Sequence, residues 1–124
     1  MPQIIGSRSV LAVRDLKRST DYYTQVLGFE REPIDAEHWS FLRRDDFNLL
    51  LGECPDEKSA ADIGDHSYML YLYVDGIDQL HDDVAARGAD ITAKPTDTPW
   101  GLREFSLRTP DGHRIRFGQP IAEP

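Results

Sequence analysis

A chain of 124 residues with 14 Lys and Arg against 22 Asp and Glu has a formal charge of −8, the wrong sign for a partner built of phosphates. Hydrophobic residues make up 40%, enough for a modest core, and the length points to one domain, 1–124. A single cysteine, Cys54, excludes an internal disulfide and a cysteine zinc site, and no apolar run approaches the roughly 20 residues needed to cross a bilayer; a cytoplasmic protein without nucleic-acid or membrane partners is expected.

In chain order, residues 7–13 read as a strand. Asp15 follows as an N-cap, and Leu16, Tyr23, Val26 and Leu27 share one helical stripe that Gly28 closes. Three short strands are predicted over 29–34, 38–43 and 47–52, the last two joined by a tight reversal at Arg44-Asp45-Asp46. The polar stretch from Glu53 to Asp65 has no periodicity and reads as a linker, about 54–65. The first pattern then returns: a strand over 67–74, a turn at Asp75, a stripe of Ile77, Leu80 and Val84, a closing Gly88, and further strands from Ile91 to Phe117.

The two halves match each other. Val13 corresponds to Val74, Leu16 to Ile77 and Tyr23 to Val84, each 61 positions on, and Gly28 and Gly88 are 60 apart. The chain is therefore read as a tandem repeat of one βαβββ unit, α+β in class, with modules at about 5–53 and 66–119. A unit of about 60 residues buries too little surface to be comfortable alone, so the two are expected to pair, their concave sheet faces forming a cup.

The densest chemistry lies at 99–117. Phe105 and Leu107, then Ile115 and Phe117, alternate with polar residues on either side of Pro110-Asp111-Gly112, the pattern of a hairpin with one apolar face. Arg103, Glu104, Ser106, Arg108, Arg114 and Arg116 are assigned to the other face, behind a loop carrying Trp100. The plain expectation is that this second face is solvated.

Val10-Leu11-Ala12-Val13-Arg14-Asp15-Leu16, Tyr22-Tyr23, Val26-Leu27-Gly28-Phe29, Pro99-Trp100-Gly101 with Arg103-Glu104-Phe105, and Pro110-Asp111-Gly112 together resemble the glyoxalase/bleomycin-resistance/dioxygenase superfamily, the vicinal oxygen chelate fold. The chain looks most like its antibiotic-binding bleomycin resistance proteins, which are similar in length, acidity, the Arg-Asp-Asp reversal and the run from Trp100 to Phe105. The resemblance implies paired βαβββ modules in a cup-shaped mixed sheet, a homodimer, and ligand sites in large clefts.

It also implies four cup-facing positions at which the superfamily's enzymes hold a divalent metal with His, Gln or Glu. Alignment on Asp15, Val74 and Pro110-Asp111-Gly112 places Arg8, about Leu50, Met69 and Arg116 there, none an ordinary ligand for such a cation. His38, His66, His81 and His113 show no metal spacing and are expected to be structural or exposed. No metal, cofactor or catalytic residue is assigned.

Strand alternation sends Met69, Tyr71 and Tyr73 to one face and Leu70 and Leu72 to the other. The resistance proteins have cleft aromatics where Trp39, Tyr71, Tyr73 and Trp100 fall. The expected ligand site is Trp39, Phe41, Tyr71, Tyr73, Trp100, Arg103, Glu104 and Arg116, and the expected activity is non-catalytic sequestration of a bleomycin-type glycopeptide antibiotic by a homodimer. The alternatives are a lyase- or dioxygenase-type enzyme of the same superfamily acting on a small metabolite, with Glu104 the one acid placed for metal-free chemistry, and a binder of another planar aromatic compound. Ser9 stands where the resistance proteins carry a proline that helps exchange the first strand between subunits.

Overall fold

The structure, a computed structural model, describes residues 2–62 and 69–121, and the chain divides into two compact units, Met1–Lys58 and Ser59–Pro124. The first contains β1 (Ser9–Val13), α1 (Leu16–Gln25), β2 (Glu30–Arg31), β3 (Trp39–Arg44) and β4 (Phe47–Glu53). The second, after a single 3-10 turn at Ala60–Asp62, contains β5 (Leu70–Tyr73), α2 (Ile77–Ala86), β6 (Asp90–Asp97), β7 (Leu102–Arg108) and β8 (Arg114–Pro120). The class is α+β, with one four-stranded mixed sheet and one α-helix in each unit among the described residues.

In the first unit the sheet order is β1-β4-β3-β2, with β1 parallel to β4 and the other pairs antiparallel. Period-2 alternation turns Leu11, Val13, Ser40, Leu42, Leu49 and Leu51 to one buried face, against Ser19, Thr20 and Tyr23 of α1. Thr20 and Ser40 satisfy each other there through a 2.8 Å hydrogen bond. The helix starts where Asp15 accepts the Arg18 N–H at 3.1 Å and ends before Gly28, which takes a φ of 75°. The strand expected over 29–34 is reduced to Glu30–Arg31, because Pro33 has no N–H to continue the ladder.

The second unit repeats the plan with order β5-β8-β7-β6, β5 lying parallel to β8. Leu70, Phe105, Leu107, Ile115 and Phe117 pack with Ile77, Leu80 and Val84 of α2, and the Phe105 and Phe117 rings stack at 4.7 Å. Both ends of α2 stand 61 positions after those of α1. Even the helix starts correspond: Glu53 Oε2 accepts the Leu16 N–H at 3.0 Å, and Gln119 Oε1, 66 positions later, accepts the Ile77 N–H at 2.8 Å. At α2 the strand supplies this cap because the N-cap residue, Gly76, has no side chain to do so.

The end of the segment read as a structureless linker belongs to the second unit. Ser59 Oγ donates to the Asp111 carbonyl at 3.1 Å, and the Ala61 backbone lies so close to Gly112 that a Cβ there would stand 2.5 Å from its nitrogen. Of the strand expected over 67–74, the described part is Leu70–Tyr73; positions 67 and 68 lie outside the described residues. Among the described residues no helix is long and apolar enough to cross a membrane.

Candidate functional site

Register decides what each sheet presents on the face away from its helix. In the second unit two rows cross that face: Tyr71, Arg116 and Ser106, then Tyr73, Gly118 and Glu104. The Tyr71 ring leans diagonally across the sheet, resting on Gly118, whose missing side chain leaves it room. Its hydroxyl donates to Glu104 Oε2 at 2.5 Å, and the Trp100 indole N–H reaches the same oxygen at 3.3 Å. Arg116 Nη1 stands 3.6 Å from Glu104 Oε1 while its Nε donates to Ser106 Oγ at 3.1 Å.

The expected solvated face is therefore not one. Glu104 is 8% exposed and Ser106 is also buried, because Tyr71 and Arg116 lie over the polar groups of β7; Arg114, on β8, is buried too. Two donors, Tyr71 and Trp100, and one cation, Arg116, surround this nearly buried carboxylate. The Tyr71 phenol is pushed well above its ordinary pKa, first by burial, then by its hydrogen bond to Glu104 and the charge on that carboxylate.

These tethers hold rings by their polar edges and leave faces open. Trp100 is 64% exposed and Tyr73 72%, and the Tyr71 and Tyr73 rings meet edge-on at 5.2 Å. The Trp100 loop is pinned at its ends, with both the N–H and the hydroxyl of Thr98 donating to the Leu102 carbonyl at 2.9 and 2.7 Å.

The corresponding face of the first unit is apolar. Its rows are Val10, Leu50 and Phe41, then Ala12, Gly52 and Trp39. The Trp39 indole covers Gly52, where a Cβ would come within 2.7 Å of Cζ3. Register makes Gly52 the counterpart of Gly118, Leu50 of Arg116, Phe41 of Ser106 and Trp39 of Glu104. Each sheet thus lays a ring over a strand glycine, but the first with a hydrocarbon surround and the second around a carboxylate.

Of the residues predicted from sequence, Tyr71, Tyr73, Trp100, Glu104 and Arg116 come together on the second sheet, and Trp39 and Phe41 on the first. Arg103 does not join them. It shares strand parity with Phe105, so it points to the helix side and binds Asp78 at 2.9 Å and Asp97 at 3.0 Å, tying the first turn of α2 to β6. Gly52 and Gly118 were not predicted from sequence; a glycine inside a strand is the available signal for such a close approach.

The metal implied by the superfamily does not fit this chain. Two guanidiniums, an isobutyl group and a thioether at Arg8, Arg116, Leu50 and Met69 supply no hard or nitrogen donor, and neither guanidinium can shed its proton. No group of three or more His, Cys, Asp or Glu among the described residues is placed to hold an ion. His38 lies beside Glu37 and Glu53, His81 packs on Phe105, and His113 is buried in the β7–β8 turn; His66 lies outside the described residues.

Comparison with known proteins agrees with this architecture. A bleomycin-binding protein from bleomycin-producing Streptomyces verticillus, solved with copper(II)-bleomycin, superposes with a TM-score of 0.74 at 23% identity, covering 99% of this chain and 100% of that one. TioX from Micromonospora sp. ML1 gives 0.75 at 24% identity over 94% of this chain and 98% of its own, and a glyoxalase-related enzyme from Clostridium phytofermentans 0.77 at 19% over 97% and 98%. In sequence, the chain is 26% identical over 119 residues to YraH of Bacillus subtilis (strain 168), covering 86% of this chain and 91% of that protein. The sequence model of one family matches residues 7–117, which takes in most of both modules, and the chain belongs to that family, the Glyoxalase/Bleomycin resistance protein/Dioxygenase superfamily.

Proposed function

We propose that the protein sequesters a flat aromatic antibiotic of the bleomycin type, without covalent chemistry, as a cytoplasmic homodimer. The observation that supports this best is the cluster around Glu104, where Tyr71 and Trp100 are anchored by their polar edges and Trp100 and Tyr73 keep exposed ring faces. Pre-placed rings bind with little loss of side-chain entropy, and each stacking contact contributes about 0.5 to 1.5 kcal/mol. The charge of −8 favours capture of a cationic drug, chiefly through its arrival rate. A ring-lined surface without a donor set for a divalent ion suits holding a ligand rather than turning it over by the superfamily's metal chemistry.

Titration of the purified protein with bleomycin, followed by tryptophan fluorescence, tests the reading. Quenching is expected to saturate near one drug per subunit and to weaken in Trp100→Ala. A signal that stays flat at high drug concentration removes the antibiotic, and stoichiometric Fe, Mn, Ni or Zn on the protein as purified would return the enzyme reading.

A further inference from the structure

We infer that the Asp75-Gly76 bond is a site of spontaneous isomerisation, at which the aspartate side chain becomes main chain and the isoaspartyl product is a substrate for carboxyl methylation. The inference goes beyond ligand capture at the Glu104 cluster and does not depend on which ligand that cluster takes.

The chemistry needs only the dipeptide and water. The Gly76 nitrogen attacks Cγ of the protonated Asp75 carboxyl, an N–Cγ bond forms, and the carboxyl hydroxyl leaves as water with the amide proton, giving a five-membered succinimide. Water then opens the ring: at Cγ it restores aspartate, and at the main-chain carbonyl carbon it leaves the chain running through Cβ and Cγ, with composition unchanged. Because both reacting groups belong to neighbouring residues, the rate depends on whether they are free to meet. A hydrogen bond on the nitrogen, a tether on the acid or a crowded glycine slows it.

The chain has two Asp-Gly pairs, and the fold treats them oppositely. In the β7–β8 turn the Gly112 N–H donates to the Thr109 carbonyl at 2.8 Å, the Asp111 carbonyl accepts from Ser59 Oγ at 3.1 Å, and the Ala61 backbone closes over Gly112. Asp75 and Gly76 are both exposed; among the described residues the Asp75 carboxylate makes no hydrogen bond or ion pair, the Gly76 N–H makes no hydrogen bond, and a Cβ at Gly76 would meet nothing within 4 Å. The repeat explains this freedom. The position 61 residues after Asp15, whose carboxylate is occupied by the Arg18 N–H, is Gly76, so the acid of the second module stands one residue early and Gln119 supplies the cap instead. The pair also lies between two anchors on β8: the Val74 N–H donates to the Gly118 carbonyl at 2.9 Å and the Ile77 N–H to Gln119 Oε1 at 2.8 Å. Isomerisation adds one main-chain atom between them, and the cap, a single side-chain bond, gives way before the ladder.

The test ages the full chain for several weeks at physiological temperature in neutral buffer, beside a sample kept unfolded in urea. Isoaspartate is read by a protein isoaspartate methyltransferase with methyl-labelled S-adenosylmethionine, followed by peptide mapping. In the folded chain the Asp75 peptide is expected to carry at least about 10-fold more label than the Asp111 peptide, the ratio that about 1.4 kcal/mol of local opening imposes on the locked turn. In urea the two should label alike. Asp75→Glu keeps the charge but needs a slower six-membered closure, and should abolish label in that peptide with an unchanged far-UV circular dichroism spectrum. Hydrogen exchange at the Ile77 amide should rise on ageing in the parent and not in Asp75→Glu. Equal labelling of the two peptides in the folded chain, a ratio that persists in urea, undiminished label in Asp75→Glu, or Ile77 exchange that ignores ageing would each overturn the inference. Bleomycin bound or refused, as reported by Trp100, leaves this result untouched.

Discussion

Gly118→Ala offers a sharp test of the Glu104 cluster, because it adds one methyl group and no charge. A Cβ at this position would lie 2.8 Å from Tyr71 Cζ and 3.0 Å from Cε1, and would overlap the phenol oxygen outright. Restoring van der Waals contact requires the hydroxyl to withdraw by more than about 1 Å, which breaks its 2.5 Å bond to Glu104. A hydrogen bond to a charged acceptor contributes about 1.5 to 3 kcal/mol, and residual overpacking costs about 1 kcal/mol more. Tyr71 is 38% exposed, so the displaced hydroxyl regains water and part of the loss is offset. The expected net cost is about 2 kcal/mol, read from urea unfolding followed by far-UV circular dichroism. In a Tyr71→Phe background the colliding oxygen is gone, so the same glycine change should cost at least about 1 kcal/mol less. An unchanged midpoint in Gly118→Ala, or an equal cost in both backgrounds, would refute the packing argument.

Tyr71 should also show itself at high pH. Because its folded pKa lies above that of the unfolded chain, the unfolded state loses this proton first; the stabilising contribution is complete below about pH 10 and lost as pH rises toward the folded value. Tyrosinate absorbance is expected to show Tyr71 ionising late, as the difference between the parent and Tyr71→Phe, and Glu104→Gln should bring it earlier. At α1, Glu53 is held below the usual carboxylate range, first by the Leu16 N–H and then by His38. Its charge stabilises the fold above the ordinary carboxylate pKa and stops doing so as pH falls through the lowered one; the stability gap between the parent and Glu53→Gln should close over that acid window in pH-dependent urea unfolding. The reverse change at the matching cap, Gln119→Glu, should stabilise α2 by about 0.3 to 1 kcal/mol near neutral pH in low salt, and a loss there would count against the equivalence of the two caps. Leu107→Ala, at a fully buried site beneath α2, should cost about 2 to 5 kcal/mol in the same assay.

Much of the fold is local information, and local information survives in sequence. The Asp15 cap, the closing Gly28 and Gly88, and the alternation of β7 and β8 each depend on residues within one turn or one strand of each other, where periodicity speaks directly, and the 61-residue offset is the recurrence of such local patterns. Where a neighbour in space interfered, the reading failed. Pro33 cut β2 short, the Ala60–Asp62 turn packed onto Gly112, and Arg103, grouped with Glu104 as a charge, followed its strand parity to the helix side.

By itself the sequence determined the class, the repeat, the helix and strand order and the family, since all four rest on short-range periodicity and on residues that recur at fixed spacing. Only the tertiary structure decided that Glu104 would gather Tyr71, Trp100 and Arg116, that Gly52 and Gly118 would each admit a ring, and that Arg8 would stand over Phe41 without a hydrogen bond. Apart from Trp100, which lies four residues before Glu104, the partners in these contacts come from different strands or, for Arg8, from just before β1. Their existence depends on ladder register to within one residue, and a one-residue slip would send every one of these side chains to the opposite face.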